Sequence, residues 1–106
     1  MAYNEDVHQY ASEQLSEFKE FTCKKMFGSM SYMRDGKAFA CVVGDKFYLK
    51  VDETNLEDYT SRGMEQFNPR NTDKGMPYWT VPKEVADDKK ELKKWATKSW
   101  KIATKK

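Results

Sequence analysis

Histidine and cysteine, which supply many metal ligands and nucleophiles, are nearly absent from the sequence. His8 is the only histidine, and Cys23 and Cys41 are the only cysteines. The cysteines form no CxxC pair, and these three side chains fall short of the four ligands that a structural zinc site requires. Without an export signal, a structural disulfide is not expected either. We therefore predict no metal site and two buried thiols that pack as small apolar residues.

Long apolar runs are also missing. The longest run covers six residues, 38–43, whereas a membrane-spanning helix needs about 20. The first 22 residues hold five acidic residues and one lysine, which is the wrong charge for a signal or transit peptide. We therefore expect a soluble cytoplasmic protein with no membrane association.

Known catalytic motifs are absent as well. The sequence has no glycine-rich phosphate loop, no HExxH, no GxSxG and no paired-carboxylate motif. Asp52 and Glu53 stand where a helix is predicted to begin, and acidic residues are common there. We therefore predict that the protein is not an enzyme and has neither catalytic residues nor a cofactor. A deep pocket with convergent polar groups would argue for the opposite, because distant residues can assemble an active site.

The composition is that of one small folded domain. Of the 106 residues, 39% are hydrophobic and 14% are aromatic, which suffices for one modest core despite the many charged residues. No internal repeat and no low-complexity linker divides the chain. We therefore expect a single domain over residues 1–106.

The middle of the sequence has the pattern of a β-meander. Residues 22–51 contain four short segments rich in β-branched and aromatic residues, which are separated by glycine-containing turns. Asp35-Gly36 is typical of a type I′ hairpin turn, and Gly44-Asp45 of a type II′ turn. Strands that are joined by such tight turns must be antiparallel neighbours. We predict strands over residues 22–27, 30–34, 37–43 and 46–51, and a fifth over 76–81.

Amphipathic spacing predicts three helices, over residues 4–20, 53–62 and 88–103. Asn4 is the expected cap of the first, Asp52 or Thr54 of the second, and Asp87 or Asp88 of the third. The order α-β-β-β-β-α-β-α predicts a two-layer α+β fold, with the helices on one face of a five-stranded antiparallel sheet. The other face would stay open unless a partner or a second copy covers it, so a homodimer through this face is one expectation.

Charge is unevenly distributed along the chain. Residues 1–22 have a net charge of −4 and residues 83–106 a net charge of +5. Five lysines of the last predicted helix fall within about 80° of the helical wheel. This lysine stripe consists of Lys90, Lys94, Lys98, Lys101 and Lys105. Clustered cations are what phosphate contacts need, yet lysine-rich helix faces are also ordinary solvated surfaces. Contact with a protein partner, weak non-specific nucleic-acid binding and plain solvation all stay open for the stripe.

An ordered series of short motifs carries a family resemblance. The motifs are Lys25-Met26-Phe27-Gly28, Tyr32-Met33-Arg34-Asp35-Gly36, Ala38-Phe39-Ala40, Phe47-Tyr48-Leu49-Lys50-Val51-Asp52 with Asn55, Tyr78-Trp79 with Val81-Pro82, and Leu92 with Trp95 and Ala96. In this order, over about residues 10–103, they resemble the N-terminal domain of the TfoX/Sxy family, regulators of bacterial competence. Ser29 departs from the family pattern, which often has glycine at that position.

The resemblance implies a two-layer α+β fold and a non-enzymatic regulatory or protein-interaction module in transcription or competence control. A transcription regulator is the partner that it implies. Full-length members also carry a C-terminal helical domain, so a short stand-alone member ending at Lys106 is expected. We interpret the motif residues Met26, Phe27, Gly28, Arg34, Asp35 and Gly36 as structural. Phe27 would fill the core, Gly28 would provide a bulge or a positive φ, and Asp35-Gly36 would form a hairpin turn.

Overall fold

A five-stranded meander forms the centre of the fold in the computed structural model, which describes residues 3–26, 28–67 and 77–104. The strands are β1 (Thr22–Met26), β2 (Ser29–Arg34), β3 (Lys37–Val43), β4 (Lys46–Lys50) and β5 (Tyr78–Thr80). They lie in the sheet in the order β1-β2-β3-β4-β5, and each neighbouring pair is antiparallel. The predicted antiparallel meander is therefore confirmed, although Met76, the predicted start of the fifth strand, lies outside the described residues.

The hairpin turn between β2 and β3 has the backbone that its sequence predicts. Asp35 and Gly36 have φ angles of 53° and 78°, and a type I′ turn requires positive φ at both central residues. Gly44, between β3 and β4, has a φ of 59°, as expected for the first central residue of its turn. These two turns fix the register of the three central strands.

Helices flank the sheet. They are α1 (Glu5–Gln14), α2 (Leu56–Thr60), α3 (Lys83–Ala86) and α4 (Lys89–Thr104), with a 3₁₀ helix over Leu15–Glu17. The sequence predicted α1, α2 and α4 but not α3, a single turn that begins after Pro82. The carbonyl of Pro82 accepts hydrogen bonds from the N–H groups of Val85 and Ala86, at 3.0 and 2.9 Å. Within the described ranges, no helix combines the length and the apolar character that crossing a membrane requires.

Both of the first two helices are shorter than predicted. α1 ends at Gln14 and tightens into the 3₁₀ helix rather than running to residue 20. Lys19 and Glu20 then adopt φ angles of 61° and 54°, which non-glycine residues avoid at a cost of about 1–2 kcal/mol each. α2 begins at Leu56, and the Asp52 carboxylate accepts from the Thr54 N–H at 2.8 Å in the turn before it. The N-cap of α2 is Asn55, whose side chain makes no cap hydrogen bond, so the expectation that Asp52 or Thr54 caps this helix is wrong.

The main core lies between the helices and one face of the sheet, as predicted. It joins sheet residues to residues of every helix; its largest fully buried members are Tyr32, Tyr59, Phe39, Leu15, Leu49 and Leu92. The pairing of β2 with β3 shifts register between Tyr32 and Met33. Because of this irregularity, the consecutive residues Phe39 and Ala40 both belong to the main core.

The second face of the sheet is partly covered within the chain. Cys41, Val43 and Tyr48 are buried there in a smaller cluster, against which Phe67 and Tyr78 pack. The Phe67 and Tyr48 rings lie 5.0 Å apart, and the Phe67 N–H donates to the Tyr78 carbonyl at 2.8 Å. The expectation of an open face is therefore wrong at its centre. A homodimer through the rest of this face stays a prediction.

Candidate interaction surface

The orientation of α4 is fixed by its buried side. Leu92, Ala96 and Ser99 are buried, and the Ser99 hydroxyl donates to the Lys50 carbonyl at 2.8 Å. At the start of the helix, the Asp88 carboxylate accepts from the N–H groups of Lys90 and Glu91, at 3.1 and 3.2 Å. This cap confirms one of the two predicted alternatives. With one side held by the core, the opposite side of α4 must face solvent.

That opposite side is a row of exposed lysines. Lys90, Lys94, Lys98 and Lys101 are all exposed, as predicted, and Lys105 lies outside the described residues. Lys93 was not part of the predicted stripe, yet it is exposed and lines the same shallow depression. A wider arc of the helical wheel would have included it. We call the surface formed by Lys90, Lys93, Lys94, Lys98 and Lys101 the lysine face.

Carboxylates border the lysine face and neutralise part of it. The Lys94 ammonium lies 3.3 Å from the Glu91 carboxylate, and the Lys98 ammonium lies 3.3 Å from the Asp58 carboxylate of α2. Glu17 lines the other border of the depression. Lys90, Lys93 and Lys101 take part in none of the ion pairs found among the described residues. Within the described part of the lysine face, an external ligand can therefore use these three lysines without breaking an observed ion pair.

Arg34, a residue of the family motif, flanks the hairpin turn at the end of β2, but its side chain packs against the rest of the domain. Its guanidinium donates to the carbonyls of Phe18 and Lys19 at 2.8 and 3.0 Å, and lies 3.9 Å from the Glu20 carboxylate. It also stacks near the rings of Phe18 and Trp100, at 4.0 and 5.1 Å from their centroids. These contacts hold the segment in which two residues have unfavourable φ angles. The Arg34 side chain thus makes tertiary contacts beyond the hairpin turn, and its structural role stays a prediction.

The other motif residues are partly described. Gly28 has a φ of 79°, which matches its predicted positive φ. Asp35 and Gly36 form the hairpin turn described above. Phe27 and the side chain of Met26 lie outside the described residues, so the prediction that Phe27 fills the core stays a prediction.

The thiols and the histidine form no activated pair. Cys41 is buried, and its burial raises the thiol pKa to about 12. Cys23 is exposed, contrary to prediction, because it lies on β1 at the edge of the sheet. Partial desolvation raises its pKa as well. The His8 Nδ1 atom lies 2.7 Å from the Tyr32 hydroxyl. Since nucleophilic cysteines need a lowered pKa, these groups do not form a thiolate–imidazole site.

A groove of about 510 Å³ lies between α1, β4, β5 and α3. Its apolar lining includes Val7, Phe47, Met64, Val81 and Ala86.

Charged groups at the rim of this groove bind one another. Lys46 pairs with Glu65 at 3.2 Å, and Lys83 pairs with Asp87 at 3.0 Å. Asp87 also accepts from the Tyr10 hydroxyl, and desolvation together with this contact raises the Tyr10 pKa to about 12.

Over the described residues, no group of three or more histidine, cysteine, aspartate or glutamate side chains is placed to hold a metal ion. The absence of enzyme activity stays a prediction.

Comparison with protein families places the chain beside a known domain. The family model described as the TfoX N-terminal domain matches residues 13–103 of the chain. The match contains the whole sheet, α2, α3 and nearly all of α4, including every residue of the lysine face. A comparison with curated proteins finds none that matches the chain.

Proposed function

The chain belongs to the TfoX N-terminal domain family, and on that premise we propose that it is a non-enzymatic regulatory module that acts in transcription or competence control. It would do so by binding a protein partner, for which another transcription regulator is the leading class. The observation that carries the proposal is the family match over residues 13–103, nearly the whole chain.

The lysine face is the surface that we assign to this contact. Its lysines are exposed, while the residues on the opposite side of α4 are held in the core. Its side chains can therefore change partners without any change in the packing of the domain. A charged helix on a stable domain is well suited to binding a partner, because electrostatic complementarity between two proteins sets their specificity and association rate.

A second candidate function is weak non-specific nucleic-acid binding through the same lysines. Its supporting observation is that α4 carries six lysines and one glutamate in 16 residues. Phosphate contacts require such clustered cations, and binding of this kind weakens steeply as salt rises. The Glu91 and Asp58 carboxylates beside the lysines oppose it, because they repel phosphate.

Two variants of equal charge can test the proposal. The face variant replaces Lys90, Lys93 and Lys101 by glutamine, and these are the lysines outside the observed ion pairs. The control variant replaces the exposed Lys24, Lys25 and Lys37, which lie on the sheet, by glutamine. Both lose three positive charges, so a difference between them reports the location of the charge.

The experiment is affinity purification from the native cell with tagged wild type, face variant and control variant, followed by mass spectrometry. We expect a transcription regulator to be retained by wild type and control variant and lost from the face variant, at physiological salt. Nuclease treatment before elution separates direct protein contact from bridging by nucleic acid. Retention that disappears with nuclease would favour the second candidate. Equal retention by all three proteins would overturn the assignment of the lysine face.

A further inference from the structure

We propose that the lysine face receives an acidic α-helix of a protein partner, which lies lengthwise along α4. This inference rests on the proposed function and names the chemistry of the partner. It follows from three features of the surface, namely the spacing of the lysines, the carboxylates among them and the apolar residues at its borders.

The lysines form a row along α4 with helical spacing. Lys90, Lys94, Lys98 and Lys101 follow one another at intervals of four, four and three residues. At about 1.5 Å of rise per residue, the row is about 16 Å long. A second helix presents side chains at the same intervals, so its carboxylates can meet successive lysines, as flanking charges do between paired helices.

The carboxylates beside the row favour a protein over nucleic acid. Glu91 and Asp58 already hold Lys94 and Lys98 at 3.3 Å, and Glu17 lines the same depression. Every phosphate of a nucleic acid is negative, so it would meet these three carboxylates unfavourably. A helix can place acidic side chains opposite the lysines and neutral or basic ones opposite Glu17. The mixed charge of the surface therefore fits a polypeptide.

Apolar residues at the borders can strengthen this contact. Trp100 and Ile102 are half-buried, and at 100° per residue they fall on opposite borders of the lysine row. Exposed ion pairs contribute little binding free energy by themselves, whereas apolar contact at such a border adds affinity and excludes water. We therefore expect the acidic helix to carry apolar residues beside its glutamates.

The test uses purified protein and three labelled probes. The first is a helical peptide of about 18 residues with glutamates at intervals of four, four and three residues and leucines beside them. The second is a scrambled peptide of the same composition that forms a helix without the acidic row, and the third is a duplex DNA of about the same length. Fluorescence anisotropy measures each Kd at low and at physiological salt.

We expect wild type to bind the patterned peptide more tightly than the scrambled peptide or the duplex at physiological salt. The face variant should weaken peptide binding about tenfold, because it removes Lys90 and Lys101 from the row together with the charge of the neighbouring Lys93. Two exposed ion pairs at the upper end of their ordinary strength supply a loss of this size. The control variant should stay within about twofold, since it keeps the lysine face.

Equal affinity for the two peptides would overturn the inference, and so would tighter binding of the duplex or an unchanged Kd in the face variant. The comparison of the peptides needs only wild type, so it stays decisive if a variant fails to fold. If the peptides fail while wild type still retains a cellular partner after nuclease treatment, the inference falls and the proposed function stands.

Discussion

Arg34 and the lysines of α4 carry the same charge but have opposite surroundings. The Arg34 side chain is 19% exposed and lies between two aromatic rings and two backbone carbonyls. The side chains of Lys94 and Lys98 are 73% and 60% exposed, and each meets a single carboxylate. The contrast shows that one cation of this small domain packs into the fold while others stay in solvent. Their environment, and not their charge, decides between these roles.

The difference follows from the chemistry of the two side chains. A guanidinium is planar, has five N–H donors and stacks on aromatic rings, so it can satisfy several carbonyls while partly buried. An ammonium on a flexible stem is strongly hydrated and stays in water. We therefore expect substitution of Arg34 to destabilise the domain, and substitution of the lysine face to leave its stability nearly unchanged.

Arg34→Ala should have the largest effect on stability. It removes charge-assisted hydrogen bonds to the Phe18 and Lys19 carbonyls and the stacking on Phe18 and Trp100, so we expect a loss of about 3 kcal/mol in unfolding free energy. Arg34→Lys keeps the charge but not the fork or the stacking and should lose about 2 kcal/mol. Urea denaturation measures both. A change under about 0.5 kcal/mol in Arg34→Ala would show that the contacts are not structural.

Trp95→Ala tests the buried side of α4. Trp95 lies towards that side and is half-buried, with its ring 4.9 Å from that of Tyr59. A fully buried tryptophan costs about 3–5 kcal/mol when replaced by alanine; partial burial lowers our expectation to about 2 kcal/mol. Differential scanning calorimetry against wild type measures the change. A neutral result would mean that this side of α4 contributes little to the core.

Trp100→Phe tests the link between α4 and Arg34. The indole N–H of Trp100 donates to the Arg34 carbonyl at 3.1 Å, and phenylalanine keeps an aromatic ring but no donor. We expect a loss of about 1 kcal/mol, the usual contribution of one hydrogen bond. The effect should shrink in an Arg34→Ala background, because the two residues also stack. Strictly additive losses in this double-mutant cycle would show that the residues act independently.

The face variant should have the smallest effect on stability. Glutamine has nearly the helix propensity of lysine, and each of Lys90, Lys93 and Lys101 is exposed, so we expect less than about 0.5 kcal/mol per substitution. Urea denaturation of the face variant and the control variant, measured side by side, tests this expectation. A loss comparable with that of Trp95→Ala would mean that the lysines contribute to the fold.

Local sequence patterns were sufficient for most of the fold and for the lysine row. The Asp35-Gly36 turn and the apolar side of α4 both depend on spacing within a few residues, so composition and period revealed them. Lys93 was left out of the predicted lysine stripe only because the stripe covered too narrow an arc of the helical wheel.

The features that sequence reasoning missed depend on distant contacts or on very short segments. α1 ends early where Lys19 and Glu20 take positive φ angles, and these are supported by Arg34, fourteen or more residues away in the sequence. α3 has only four residues, too few to show a helical period. The cover on the second sheet face is provided by Phe67, whose contact with Tyr48 no local pattern could reveal.

The central claim is that the lysine face is separable from the fold whereas Arg34 is not, and one paired measurement tests it most directly. Thermal unfolding and binding of the patterned acidic peptide are measured for wild type, the face variant and Arg34→Lys. We predict that the face variant melts within a few degrees of wild type and loses peptide affinity about tenfold, while Arg34→Lys melts about 8–16 °C lower. A face variant that melts as early as Arg34→Lys, or that melts like wild type and still binds the peptide as tightly, would contradict the claim.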